Sequence, residues 1–111
     1  MNKIGIFTKD IKLGTSLSER LVNYNMKFFL LDKLEELDDT FRVVIIDLNE
    51  KDFRNASFLK GISVNQNIYV IGIAKKVVKK ENDYFKNLGC NMMISSVGII
   101  RNVSSILNEI L

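Results

Sequence analysis

The side chain best placed to do chemistry in this sequence is the carboxylate of Asp47, which ends the apolar run Val43-Val44-Ile45-Ile46. A β-branched run of this kind predicts a strand buried on both faces of a parallel sheet, and such sheets place their ligands at the C-terminal ends of the strands. Lys9, Lys75 and Lys76 also follow apolar segments. Their ammonium groups could pair with Asp47 or bind a small anion at the same edge.

A carboxylate at a strand end also has a structural use, because it can accept hydrogen bonds from N–H groups of the following loop. Both roles of Asp47 stay open on the sequence. The chain has no histidine and one cysteine, Cys90. Zinc sites, catalysis by Ser-His or Cys-His pairs and an internal disulfide are therefore excluded, and we expect Cys90 to be a small buried residue.

Length and composition predict one globular domain spanning residues 1–111. With 47% hydrophobic and 26% charged residues, the 111-residue chain is ordinary for such a domain. The net charge of +3 is spread over many lysines, so we expect no nucleic-acid contact. We also expect no membrane contact and a cytoplasmic location, because the sequence shows neither a signal segment nor an apolar stretch long enough to span a bilayer.

Five apolar segments have the character of strands, and most are separated by stretches with helical spacing. This alternation predicts an α/β fold, with a doubly wound parallel sheet and helices on both faces. The predicted strands are Ile4–Thr8, Lys27–Leu31, Arg42–Leu48, Ile68–Ile73 and Asn91–Ile94.

The first two connections are predicted to differ in helix length. Ser16 and Glu19 form a capping box, so the first helix is expected to begin near Ser16, and Asn25 is a suitable left-handed terminator. The second connection, Asp32–Phe41, has room for little more than two turns. We therefore expect a short or irregular second helix.

Three further helices follow from the spacing of apolar residues. The third is expected to carry Phe53, Phe58, Leu59 and Ile62 after a polar loop at Asn49–Lys51. The fourth, roughly Lys79–Leu88, is expected to turn Tyr84, Phe85 and Leu88 inward and to end at Gly89. The last should bury one stripe formed by Ile99, Ile100, Val103, Ile106, Leu107, Ile110 and Leu111.

Two short motifs lie next to predicted strands in this βα order. Asp47-Leu48-Asn49-Glu50 follows the third strand, and Leu88-Gly89-Cys90-Asn91 leads into the fifth. Over nearly its whole length the chain thus resembles the receiver domain of two-component response regulators. The resemblance implies a flavodoxin-like sheet of order 2-1-3-4-5, and it places Asp47 where the family accepts a phosphoryl group from a histidine kinase.

The same resemblance shows which partners of that aspartate have changed. Receivers hold Mg²⁺ with an acid pair after the first strand, where this chain has Thr8 and Lys9, with Asp10 one position further on. The hydroxyl that ends the fourth strand is replaced by Ala74, and the lysine that ends the fifth by Ser96. Because phosphoryl transfer depends on positioned charge, these changes predict a degenerate receiver, or pseudo-receiver, in which Asp47 is a vestigial phosphoacceptor.

On this interpretation the chain is not an enzyme, needs no cofactor, and signals by protein–protein contact. Mg²⁺ would bind, through Asp10 and Asp47, only if phosphotransfer were retained. Receivers dimerise and dock their partners through the face of the fourth helix, fifth strand and fifth helix. That face would carry Lys79, Lys80 and Tyr84 here, and could bind another signalling protein or a second copy.

Two other functions remain open on the sequence. The first is a working receiver phosphorylated on Asp47, within a phosphorelay. The second is a small anion- or ligand-binding α/β domain that uses the loops around Gly14, Lys75 and Ser96. Gly14-Thr15-Ser16 is similar to the phosphoryl-binding loop of phosphotransferase-system IIB domains, although Thr8 stands where those domains need a cysteine.

Overall fold

The computed structural model describes residues 3–65 and 67–111. They form a five-stranded parallel sheet of strand order β2-β1-β3-β4-β5, as the sequence predicts. The strands are β1 (Lys3–Phe7), β2 (Phe28–Leu31), β3 (Phe41–Asp47), β4 (Tyr69–Ala74) and β5 (Met92–Ser95). The α-helices are α1 (Ile11–Asn23), α2 (Ala56–Ser63), α3 (Lys79–Asn87) and α4 (Ser96–Ile110), and a single 3-10 turn (Leu34–Glu36) joins β2 to β3.

Strand β3 lies at the centre of the sheet, between β1 and β4. Its apolar run Val43–Ile46 is completely buried because helices cover both faces. The parallel register pairs Ile46 with Phe7 of β1 and Asp47 with Ile73 of β4. The C-terminal ends of these three strands therefore meet at one edge, with Asp47 in the middle.

Two apolar cores hold the helices on the two faces. The core on one face contains residues of the 3-10 turn, α2 and α3, including Leu34, Leu59 and Phe85. The core on the other face contains residues of α1 and α4, including Leu17 and Val103. The prediction of a doubly wound sheet with a short, irregular second helix is confirmed.

Helix α1 begins five residues earlier than its predicted start at Ser16. Asp10 is the N-cap, and its carboxylate accepts a hydrogen bond from the backbone N–H of Leu13 at 3.1 Å. The earlier start extends the buried stripe of α1 by one turn, because Leu13 joins Leu17 and Leu21 in the core. The predicted terminator is confirmed, since Asn25 has a φ of 55°.

Two apolar side chains lie elsewhere than the helical spacing predicts. Phe53 precedes α2 instead of belonging to it, and is buried in the turn against Phe7, with ring centroids 5.6 Å apart. Tyr84 of α3 points outward and is 55% exposed, because Phe85 fills the core position beside it. Gly89 ends α3 with a φ of 117°, as predicted.

The stripe of α4 is mostly as expected. Ile99, Val103 and Leu107 are buried, and Ile100, Ile106 and Ile110 pack at its margin. Leu111 lies beyond the helix and is 47% exposed. No helix in residues 3–65 and 67–111 combines the length and apolar character needed to cross a bilayer.

Candidate functional site

The carboxylate of Asp47 lies under the C-terminal edge of the sheet and is 4% exposed. Within residues 3–65 and 67–111 it is the one charged side chain that is buried. The hydroxyl of Thr8 donates to its Oδ2 at 2.9 Å. The backbone N–H and the side-chain amide of Asn49 both donate to its Oδ1, each at 3.0 Å. Three donors thus satisfy the buried charge without a cation.

Asn49 continues this arrangement to the next strand. Its Oδ1 accepts a hydrogen bond at 3.0 Å from the backbone N–H of Lys75, directly after β4. Thr8, Asp47, Asn49 and Lys75 therefore form a hydrogen-bonded chain, which we call the strand-end network, across β1, β3 and β4. Lys75 contributes its peptide N–H to the network, whereas the sequence suggested its ammonium as a partner for Asp47.

The ammonium of Lys9 points away from Asp47. It forms an exposed ion pair with Asp52, and it lies 5.9 Å from the ring centroid of Phe53. The hydrogen bond and the charge of Asp52 raise the pKa of Lys9, and the same contact lowers the pKa of Asp52. The suggested ion pair of Lys9 with Asp47 is therefore wrong, because a nearer carboxylate on the following loop binds the ammonium.

Asp10, the acid next to the expected metal position, is already used. Its carboxylate caps α1, and its backbone N–H donates to the Thr8 hydroxyl at 3.1 Å. Across residues 3–65 and 67–111, no three acidic or cysteine side chains come together as a metal ion would require. A magnesium site needs several oxygen ligands around one point, so the residues present do not fit the Mg²⁺ that receivers hold.

The two other altered positions also lie at strand ends. Ala74 is the last residue of β4 and is 9% exposed, with no polar group to offer. Ser96 begins α4, directly after the N-cap Ser95, whose hydroxyl accepts from the N–H of Gly98 at 3.0 Å. The end of β5 therefore starts a helix, and no lysine extends from it towards Asp47.

The residues suggested for anion binding do not converge on one cleft. Gly14 is buried in the first turns of α1, so Gly14-Thr15-Ser16 is helix and not a loop. It borders an open groove near Leu30, whereas Lys75 and Lys76 line a different cleft of about 270 Å³ beside α3. The separation follows from the strand order, because β3 lies between β1, which precedes Gly14, and β4, which precedes Lys75.

The suggested interaction residues lie together on α3. Lys79 and Lys80 occupy its first turn and are exposed, and Tyr84 follows one turn later. Tyr84 borders a groove that also contains Arg54, which forms an ion pair with Glu81 at 3.4 Å. Lys79 and Lys80 make the start of α3 basic, and Tyr84 adds an aromatic side chain available for contact.

Asn49 and Asp52 are the residues whose roles sequence reasoning missed. The sequence predicts only a polar loop at Asn49, although the side chain of an aspartate commonly accepts a hydrogen bond from the backbone N–H two residues further on. The pairing of Asp52 with Lys9 joins residues 43 positions apart. No local signal in the sequence indicates that contact.

Comparison with known proteins places this geometry in a known fold. No protein-family model matches the chain, and no curated protein matches it in sequence. Solved structures do match. The chain is similar to the chemotaxis protein CheY4 of Vibrio cholerae, with a TM-score of 0.84, 14% identity, and coverage of 100% of this chain and 99% of that one.

Two further structures give the same result. A CheY-like protein, TadZ, from Pseudomonas aeruginosa PAO1 has a TM-score of 0.81 at 16% identity, with both chains fully covered. The receiver domain of Klebsiella pneumoniae RstA has a TM-score of 0.79 at 14% identity, covering 98% of this chain and 97% of that one. The chain has the fold of CheY-like response-regulator receiver domains, which confirms the predicted resemblance.

Proposed function

We propose that the chain is a non-enzymatic, receiver-like signalling module that works by protein–protein contact and without phosphorylation of Asp47. The observation that carries the proposal is the set of three hydrogen bonds that Thr8 and Asn49 donate to the buried carboxylate. A carboxylate that attacks a phosphoryl donor must also be accessible to it. Asp47 is only 4% exposed, and its two oxygens accept from Thr8 at the end of β1 and from Asn49 in the loop after β3.

The charges around Asp47 support the same conclusion. Phosphoryl transfer is catalysed almost entirely by positioning and by neutralising the negative charge of the transferred group. The Lys9 ammonium is paired with Asp52, and Ala74 and Ser96 stand where receivers carry a hydroxyl and a lysine. The groups needed to stabilise a phosphoryl group at Asp47 have been replaced, and the strand-end network gives the aspartate a structural role.

Incubation with acetyl phosphate and Mg²⁺, followed by intact-mass measurement, tests this proposal. We expect no gain of a phosphoryl group under conditions that label an ordinary receiver treated in parallel. The Asp47→Asn variant is the matched control for site assignment. A phosphoryl gain in the wild type that disappears in Asp47→Asn would contradict the proposal and favour a working receiver.

For the contact itself we propose the α3 surface, which carries the exposed residues Lys79, Lys80 and Tyr84. Receivers act on other signalling proteins. An exposed tyrosine is a residue type enriched in docking sites, and the lysines beside it favour an acidic partner. Reversing Lys79 and Lys80 to glutamate is expected to weaken association in sedimentation and pull-down measurements. Reversing Lys12 and Arg20 on α1 is the control, and equal behaviour of the two variants would argue against the α3 surface.

A further inference from the structure

Two segments of this chain carry opposite charge at high density. Residues 32–39, here called the acidic turn, contain five carboxylates and one ammonium, for a net charge of −4, and all six charged residues are exposed. Glu36 accepts from the N–H groups of Asp32 and Lys33, and Asp38 from Thr40, so these two acids shape the turn itself. The remaining acids, Asp32, Glu35 and Asp39, point their charge at solvent.

Residues 75–80, here called the basic segment, have the sequence Lys-Lys-Val-Val-Lys-Lys and a net charge of +4. All four lysines are exposed, and within residues 3–65 and 67–111 their ammonium groups take part in no ion pair. Val77 and Val78 between them are 42% and 46% exposed. The segment therefore offers two partly exposed apolar side chains between its two pairs of lysines.

The acidic turn and the basic segment lie in the same helical layer, on opposite sides of α2. Leu34 of the acidic turn packs against α2 so closely that a Cβ at Gly61 would lie 2.7 Å from its Cδ1. The basic segment leads into α3, whose Phe85 joins the same core. The order of the strands fixes the order of the segments that connect them. Across this layer the acidic turn comes first, then α2, then the basic segment.

This order makes the layer self-complementary. We propose that two copies of the chain associate through it, with the acidic turn of each copy on the basic segment of the other. A two-fold axis that runs along α2, between the copies, creates both contacts at once, so the assembly closes as a dimer. Such an axis keeps the height of each residue along the strands. The basic segment, which follows the C-terminal end of β4, therefore meets the end of the acidic turn at Asp32, which follows the C-terminal end of β2. Three residues of α2 are exposed: Ser57 and Gly61, which have little side-chain bulk, and Lys60, whose long side chain also lies on this surface.

A second copy fits this surface better than an unrelated acidic protein does. The two segments have net charges of equal size and opposite sign, and the chain supplies both of them on one face. Matched potentials of this kind favour and orient association. The inference deepens the proposed function, because it identifies a second copy of the chain as the partner that binds the start of α3. Dimerisation and the phosphorylation of Asp47 are measured separately, so one result does not decide the other.

Two charge-reversed variants test the proposal. They change only exposed residues whose side chains do not cap a helix or hold the acidic turn together. The first replaces three acids by lysine, Asp32→Lys, Glu35→Lys and Asp39→Lys. The second replaces three lysines by glutamate, Lys76→Glu, Lys79→Glu and Lys80→Glu.

Sedimentation equilibrium at about 20 mM salt, where charge interactions are screened little, measures self-association. We expect the wild type to dimerise and each variant alone to weaken dimerisation at least about tenfold, because like charges then face each other. An equimolar mixture of the two variants should form a heterodimer, since both contacts are again between opposite charges. About 0.5 M salt should dissociate the wild-type dimer.

The matched control reverses three cations in the opposite helical layer, Lys12→Glu, Arg20→Glu and Arg101→Glu, and should dimerise like the wild type. Circular dichroism checks that each variant folds. If a triple variant does not, the single changes Glu35→Lys and Lys79→Glu replace it. A wild type that stays monomeric, or a mixture that does not associate, overturns the proposal. The proposal is also overturned if the wild type is monomeric and the only effect of the basic-segment variant is weaker binding to some other acidic protein.

Discussion

The carboxylate of Asp47 is the shared acceptor for three donors, so its removal is expected to destabilise the fold. In Asp47→Ala the hydroxyl of Thr8 and the two N–H groups of Asn49 lose the buried carboxylate that accepts their hydrogen bonds. We expect the free energy of unfolding to fall by about 3 kcal/mol, the cost of losing hydrogen bonds to a buried charge. Urea denaturation measures it. Asp52→Ala, which removes an exposed ion pair, should leave stability nearly unchanged, and equal effects would contradict a structural role for Asp47.

Cys90 gives a second prediction about a single residue. Burial raises the pKa of its thiol to about 11, so the thiolate is at least about a hundredfold scarcer at pH 8 than in an ordinary cysteine. Reaction with a disulfide reagent at pH 8 should be slow in the native protein and fast in urea. Because the native state holds this proton more tightly than the unfolded state, stability should fall as the pH rises from about 9 towards 11. Rapid labelling of the native protein would contradict this prediction.

Among the elements, α1 allows a direct comparison of two capping residues. Asp10 accepts from the N–H of Leu13, whereas Ser16 lies inside the helix, where the first-turn N–H groups are out of reach. We expect Asp10→Ala to cost about 1 kcal/mol of unfolding free energy and Ser16→Ala to cost much less. Thermal or urea denaturation of the two variants separates them. A larger loss in Ser16→Ala would indicate that the helix begins where its capping box predicts.

The strands could be predicted from the sequence because each is a short apolar run, and Val43–Ile46 is buried as such a run requires. The start of α1 could not, because Leu13 extends the buried stripe and tertiary packing outweighs a local capping pattern. Within the candidate site, the strand-end position of Asp47 was predictable. Its bond to Thr8, however, joins residues 39 positions apart and depends on the register of β1 and β3.

At the scale of the whole molecule, one central sheet is shared by two apolar cores, so neither helical layer can be lost alone. Leu59 of α2 and Leu17 of α1 lie in different cores, and both are at most 2% exposed. We expect Leu59→Ala and Leu17→Ala each to lower the unfolding free energy by about 2–5 kcal/mol. Far-ultraviolet circular dichroism and tyrosine fluorescence should give coincident urea transitions in both variants, because the β3 strand packs against both layers. Separate midpoints for the two probes in either variant would show that the layers unfold independently and that the sheet does not couple them.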